Sequence, residues 1–279
     1  MATNYTVRYA SNPKNFKHYD TQRIRNDFLI ENLFRAGSIN LVYSHYDRYI
    51  VGGAKPDENI LKLNAIEPLK VENFLDRREL GVINVGEEGI ISVDGKSYKI
   101  RNKEAIYIGR GIKDVTFSKF EDSQPLFYIN SAPAHTSHPT KHITMDDAEI
   151  VEKGSLESSN HRLINKLIVH SVVDTCQLQM GMTILKKGSV WNTMPAHIHD
   201  RRMEAYFYFD LSDNQIVSHF MGEPNETRHI FMHNNQAVLS PPWSIHCGSG
   251  TSSYSFIWGM AGENIDYGDM DPVKPSEMR

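Results

Sequence analysis

The apolar residues of this chain arrive in short runs rich in Val, Ile, Tyr and Phe, cut at intervals of roughly 8 to 12 residues by Gly, Pro, Asp-Gly and other polar turn clusters. No other feature limits the fold so strongly. Such runs are too short for helices, which need apolar residues repeating about every 3.6 positions over ten or more residues, whereas a strand is complete in about five or six. In the first half the pattern runs through SINLVYSHYDRYIVGG, ELGVINVGEEGIISVDGKSYKI, EAIYIGRGIKDVTFSKF and PLFYIN. In the second half it resumes with KLIVHSVV, CQLQMGMTIL, VWNTMPAHIH, EAYFYFDL, QIVSHFM, TRHIFMH, QAVLSPPW and YSFIWGM. Asp94-Gly95, set between β-forming residues, reads as a hairpin turn. The pattern predicts an all-β protein, an antiparallel sandwich or barrel. Only TQRIRNDFLIENLF, residues 21–34, reads as a helix, with Thr21 as cap and Ile24 and Phe28 at helical spacing.

At 279 residues the chain has room for about two domains. Its halves echo one another. DRREL at 76–80 precedes a β run as DRRMEAYFYF does at 200–209, and EAIYIGRGIKD (104–114) lines up with QAVLSPPWSIH (236–246). The second offset is about eight residues larger, which a longer intervening hairpin absorbs. The predicted organisation is a duplicated β-barrel: residues 1–143 as the first β-domain, 144–165 as a charged, Ser-rich linker, and 166–279 as the second. Just ahead of the shared DRR the first half has VENFL and the second PAHIH, and Asp114 stands where the second has His246, so ligand-type residues survive in one copy only.

A formal net charge of −4 gives no electrostatic reason to expect nucleic acid or an anionic membrane as partner, which leaves a small molecule. The N-terminal residues lack the basic-then-apolar layout of a signal peptide, and no run approaches the roughly 18 apolar residues of a membrane span. Two cysteines, Cys176 and Cys247, are too few for a disulfide framework and agree with a reducing compartment. The expected location is the cytoplasm.

The chemistry concentrates in PAHIHDRRMEAYFYF, residues 195–209. On a strand, His197 and His199 point to the same side, and after a turn through DRRM the next strand can face Glu204 to the same interior. His246, in SPPWSIHCGSG, can complete the set from a later strand. Three imidazoles and a carboxylate suit Zn²⁺, Fe²⁺, Mn²⁺ or Ni²⁺. Strand alternation puts Trp191, Thr193 and Pro195 on the face of the histidines, and Tyr206 and Tyr208 on that of Glu204. Tyr206 is the nearest candidate to hydrogen-bond a substrate, although filling the barrel interior explains either tyrosine equally well. A second histidine group, His135, His138 and His142 in PAHTSHPTKH, has no carboxylate or later histidine to complete it and reads as a loop or interdomain segment. Cys247 adjoins His246 but faces the opposite side of a strand, and the Met-rich MGM is core.

H-x-H-x4-E followed about 40 residues later by P-x-W-x2-H resembles the metal signature of the cupin barrel, with Trp243 where that pattern has Gly and a longer Gly188 to His197 interval. The likeness extends through DTQRIRNDFL, YSHYDRYIVGG, RRELGVINVG, SAPAHTSHPTK, TCQLQMGMT, WNTMPAHIHDRRMEAYFYF, GEPNETRHI, SPPWSIHCGSGT and FIWGMAGEN. These segments span nearly the whole chain and resemble the 4-deoxy-L-threo-5-hexosulose-uronate ketol-isomerase family of pectin and uronate breakdown, zinc-binding cupins that assemble as homohexamers. The resemblance implies duplicated cupin (jelly-roll) barrels with a few short helices, and one Zn²⁺ per subunit on His197, His199, Glu204 and His246, other divalent metals being compatible. It also implies the conversion of 5-dehydro-4-deoxy-D-glucuronate to 3-deoxy-D-glycero-2,5-hexodiulosonate, metal-assisted through an enediolate. Such a substrate carries a carboxylate, which the fork of an arginine matches. Arg201, Arg202 and Arg228 are the local options, and Arg202 and Arg228 the chosen candidates. The same four ligands would also serve an Fe²⁺-dependent cupin dioxygenase or a cupin that only binds sugar.

Overall fold

The computed structural model describes residues 3–279, and its strands build two sandwiches on one plan, each a seven-stranded sheet facing a four-stranded one. The first large sheet runs, in spatial order, Asn4–Arg8, Ser38–Ser44, Ile50–Lys55, Phe127–Pro133, Arg78–Asn84, Ala105–Ile108 and Lys141–Ile143. The second runs Glu149–Lys153, Arg162–Ile168, Gln179–Leu185, Ser255–Gly262, Arg202–Phe209, Gln236–Ser240 and Leu29–Ile30. Its facing sheet is Trp191–Asn192, Ile245–Gly250, Val217–Glu223 and Glu226–Met232, the counterpart of Leu61–Lys62, Val115–Lys119, Gly89–Val93 and Lys96–Ile100.

Strand register carries the duplication down to single residues. Leu80 lies opposite Ile108 in the first sandwich, and Glu204 opposite Ser240 in the second, the pairs that the DRREL and EAIYI echoes require. Phe117 opposite Leu61 is likewise matched by Ser249 opposite Trp191. These are the duplicated jelly-roll barrels that the resemblance implies. Asp94 and Gly95 form the two-residue turn between Val93 and Lys96, both at positive φ (44° and 84°), as a tight hairpin turn demands.

Leu80, Val82, Ile91, Ile106, Phe117 and Phe127 fill the first sandwich. The two large sheets then pack back to back. Val51, Ile83 and Tyr128 of the first and Met180, Phe207 and Trp258 of the second belong to one continuous core, and Tyr128 stacks on Phe207 with ring centroids 4.5 Å apart. That stack adds ~0.5–1.5 kcal/mol beyond the area it buries. Glycine makes the approach possible: a Cβ at Gly81 would lie 2.3 Å from the Met180 sulfur. Met180 and Met182 of MGM are fully buried, as expected.

Two expectations need correction. The helix spans Thr21–Phe28 only, and its cap is Asp20, whose side chain accepts from the Arg23 amide at 2.8 Å. It stops there because Leu29 and Ile30 pair with Val238 and Ala237 at the edge of the second large sheet, and those backbone bonds replace further helical ones. Pro13–Phe16 forms a second short helix. Nor is 144–165 a free linker: Glu149–Lys153 and Arg162–Ile168 pair as an antiparallel hairpin at the opposite edge of the same sheet. Their apolar content is low because only one side is covered. Among the described residues, no helix is long and apolar enough to cross a membrane.

Candidate metal centre

Four side chains converge inside the second sandwich. His197 comes from the short strand His197–Ile198, His199 follows it, Glu204 lies on Arg202–Phe209 and His246 on Ile245–Gly250. One ligand atom from each lies within 4.8 Å of all the others, and among the described residues this is the one group of three or more His, Cys, Asp or Glu so arranged. His199 Nε2 and His246 Nε2 each lie 3.0 Å from Glu204 Oε2, and His197 Nε2 lies 3.0 Å from His246 Nε2. The premise of one continuous strand does not hold. Thr193, at φ 55°, separates Trp191–Asn192 from His197–Ile198, so alternation cannot be carried across. Trp191 therefore stacks on Phe220, while Thr193 and Pro195 line the cavity.

The donor chemistry fits a cation. His199 Nδ1 lies 2.9 Å from the Arg202 carbonyl, which can only accept, so Nδ1 carries a proton and Nε2 is the atom turned to Glu204. His246 Nδ1 is placed similarly by the Ser244 carbonyl at 3.3 Å, with Ser240 Oγ at 3.2 Å. Nε2 of both imidazoles and the Glu204 carboxylate thus converge on one point, where positive charge, carried by a bound cation or by a proton on an imidazole, offsets the buried carboxylate. Burial, together with the neighbouring His246, lowers His197 to about 3 against the attraction of Glu204, so it is neutral and free to ligate. Burial would raise Glu204, but the charge and hydrogen bonds of His246 and His199 hold it well below the ordinary carboxylate range. Burial would likewise lower His199, but the hydrogen bond and charge of Glu204 raise it.

The first copy shows the contrast. Leu80 and Ile108, at the positions of Glu204 and Ser240, are fully buried apolar residues, and Asp114, matched to His246, pairs with Lys62 at 2.6 Å on the surface.

Three of the donors, His197, His199 and Glu204, line a cavity of about 240 Å³ that also exposes Tyr206, Trp258 and Tyr267. A larger cleft, about 450 Å³, lies near Arg8, Gln22 and Arg25 at the N-terminal edge, but no histidine lines it; the donor set marks the smaller one. Tyr206 is at the cavity wall as expected, its hydroxyl 2.9 Å from Thr193 Oγ1. Tyr208 points deeper, its hydroxyl 2.8 Å from His219 Nδ1.

The arginines differ from expectation. Arg201 binds Asp269 through Nε and Nη2 at 2.6–2.9 Å and Asp271 at 3.0 Å. Arg202 borders the cavity, but its Nη1 and Nη2 donate to the carbonyls of Asp266 and Asp269, fastening the loop that carries Tyr267 and Met270 over the site. Arg228 is not a cavity residue: it donates to the carbonyls of Thr227 and Lys17 and pairs with Glu226 at 2.8 Å, drawn there by the sheet edge that carries it. What the sequence reading missed is Lys153 and Arg162, which line the same cavity from the edge hairpin. Strand pairing is what brings them there, and no local signal reports it.

The other histidines separate. His142 Nε2 is bound to Glu104 at 3.0 Å, and the His135 carbonyl accepts from Arg110. Their segment bridges the halves, since the Thr136 and Pro133 carbonyls accept from Cys176 and Gln177. Both cysteines are free thiols, and burial pushes Cys247 up to about 12 in an apolar cluster with Ala196 and Ile245, away from the donors.

Comparison with known proteins agrees with this architecture. The 4-deoxy-L-threo-5-hexosulose-uronate ketol-isomerase of Formosa agariphila is 60% identical over 280 residues, covering all of both chains. The protein of the same name from Bacteroides fragilis is 56% identical over 272 residues, 97% of each chain. Among solved structures, an IolB-like protein of Salmonella typhimurium superposes with a TM-score of 0.69 at 14% identity, over 88% of this chain and 96% of its own. An oxalate decarboxylase of Bacillus subtilis does so at 0.55 and 7%, over 80% and 71%, a likeness of fold alone. A family model described as KduI/IolB matches residues 28–272, nearly the full length of both sandwiches, and the chain belongs to the KduI/IolB family.

Proposed function

We propose that the chain is a ketol-isomerase that converts 5-dehydro-4-deoxy-D-glucuronate to 3-deoxy-D-glycero-2,5-hexodiulosonate, with His197, His199, Glu204 and His246 holding one Zn²⁺ per subunit. The observation that carries the reading is 60% identity, end to end, with the ketol-isomerase of Formosa agariphila. A homohexamer in the cytoplasm belongs to the same proposal and rests on family likeness.

The reaction moves a carbonyl from C1 to C2, so a proton must leave the hydroxyl-bearing carbon while negative charge develops on two neighbouring oxygens. A divalent ion bound by the four donors would supply the Lewis acidity that stabilises this charge. The chain's own contribution is positioning. The carbonyls of Arg202 and Ser244 fix the imidazoles of His199 and His246, and Glu204 offsets part of the positive charge among them. In this reading the Tyr206 hydroxyl, which meets Thr193 Oγ1, would hydrogen-bond a substrate oxygen, while Trp258 and Tyr267 would restrict water. Arg202 acts indirectly, by holding the loop that carries Tyr267.

The test joins elemental analysis of the purified protein with an assay on the 5-keto uronate. We expect about one zinc per chain, activity lost on chelation, and recovery on adding zinc back. Zinc-replete protein that leaves the uronate unchanged would refute the reading.

A further inference from the structure

Of the three arginines closest in sequence to the metal-type donors, Arg201 and Arg228 are tied to protein oxygens and Arg202 keeps only its buried Nε without a partner, so a two-pronged grip on a substrate carboxylate has to come from another residue. Arg162 and Lys153 lie directly opposite one another across the edge hairpin, which puts both side chains on one face, and both line the cavity that His197, His199 and Glu204 also line. Like charges placed this way repel. No carboxylate of the hairpin relieves them: Glu152 binds His161 and Glu149 binds Lys166, each at 2.6 Å. Among the described residues, Arg162 makes one side-chain hydrogen bond, Nη1 to the Asn160 carbonyl at 2.8 Å, leaving Nε and Nη2 for a ligand.

We propose that Arg162, assisted by Lys153, binds the C6 carboxylate of the uronate and so sets the enzyme's preference for an acidic sugar; the assignment rests on the function proposed above. In the sheet, the strand of Arg162 is separated from that of Glu204 by two others, Gln179–Leu185 and Ser255–Gly262. Three strand spacings amount to roughly 14 Å between backbones. Side chains reaching inward from both ends shorten this toward the length of a six-carbon sugar. The carbons that react, C1 and C2, are at the opposite end of that sugar from C6, so one molecule can meet the donors and the cation pair together. A guanidinium fork beside an ammonium is suited to a carboxylate, and an anion between them offsets the repulsion between the two cations.

The experiment compares kcat and KM for the uronate and its C6 methyl ester in the wild-type holoenzyme and in R162Q, with zinc content measured in each. For R162Q we expect KM for the uronate to rise ~10–100-fold while KM for the ester, kcat and zinc content change little. An equal rise for both compounds, or loss of zinc, would mean a structural role and overturn the assignment. Should R162Q fail to fold, K153M makes the same comparison at an exposed position: a rise of ~3-fold or more confined to the uronate supports the assignment, and no difference between the compounds overturns it. A wild-type holoenzyme inactive on the uronate but active on neutral sugars defeats the function reading and this one together, whereas an active wild type with an indifferent R162Q defeats this one alone.

Discussion

Glu204 is the one carboxylate among the four donors, and its Oε2 touches two imidazoles. Glu204→Gln preserves the shape of the side chain and removes its charge, so it separates charge from packing. Affinity for the bound metal, zinc in the proposed function, should fall by more than ~100-fold, beyond the ~10–100-fold typical of losing a group that merely orients a ligand, and activity should fall with it. Elemental analysis after dialysis, paired with turnover, checks this; a variant that keeps its zinc would remove Glu204 from the ligand set. Three of these positions were legible in the sequence because H-x-H-x4-E places His197, His199 and Glu204 within one strand-turn-strand unit, whereas His246, on a distant strand, was legible only through the resemblance of P-x-W-x2-H to the cupin signature. Arg202 was not. It has the charge and location of a carboxylate binder, and only the structure reveals that the Asp266 and Asp269 carbonyls already occupy it.

The strand Arg78–Asn84 illustrates how one element ties the halves together. Its Glu79, fully buried, accepts from the backbone amides of Cys176, Gln177 and Leu178 at 2.8 Å each and from the Tyr107 hydroxyl at 2.8 Å. A carboxylate so placed fixes the start of the strand Gln179–Leu185, two strands from Glu204 in the second large sheet. Glu79→Ala strands four donors at a cost of ~1–3 kcal/mol each when water cannot reach them; with water replacing part of the carboxylate, a net loss of about 3 kcal/mol is expected in denaturant unfolding. Loss of less than ~1 kcal/mol would show the contact to be dispensable. Most strands were readable because their residues alternate or are wholly apolar, and Asp94-Gly95 announced its own turn. The edge hairpin was not readable: GSLESSNHR and its flanks have the composition of a linker, and what makes them a strand pair is the free edge of Gln179–Leu185, which lies outside any local window. The same kind of distant edge ended the helix at Phe28.

The duplication was visible in two echoes, but the interlocking of the copies was not, since it depends on strands crossing from one half to the other. Leu29–Ile30 joins the second large sheet, and the core between the sheets draws residues from both halves. Two barrels sharing a core should unfold together. Gly259 tests this directly, because its missing side chain is what lets the sheets meet: a Cβ there would lie 2.1 Å from Asn130 Oδ1 and 2.6 Å from the Tyr49 hydroxyl. Both neighbours belong to the first half and both are buried, so neither can swing into solvent. Gly259→Ala must therefore push the sheets apart or force Asn130 off its rotamer, at a cost of ~1–3 kcal/mol. For a chain of this length that is a fall of roughly 2–10 °C in Tm. Adding Asn130→Ala removes the closer clash and should restore part of the loss, a coupling that a double-mutant cycle reads as departure from additivity. Calorimetry should show one transition in every variant, moved to lower temperature but not divided. Two separate transitions would mean that the halves are independent barrels in contact, and that the metal-free copy does not contribute to the rigidity of the copy that carries the donors.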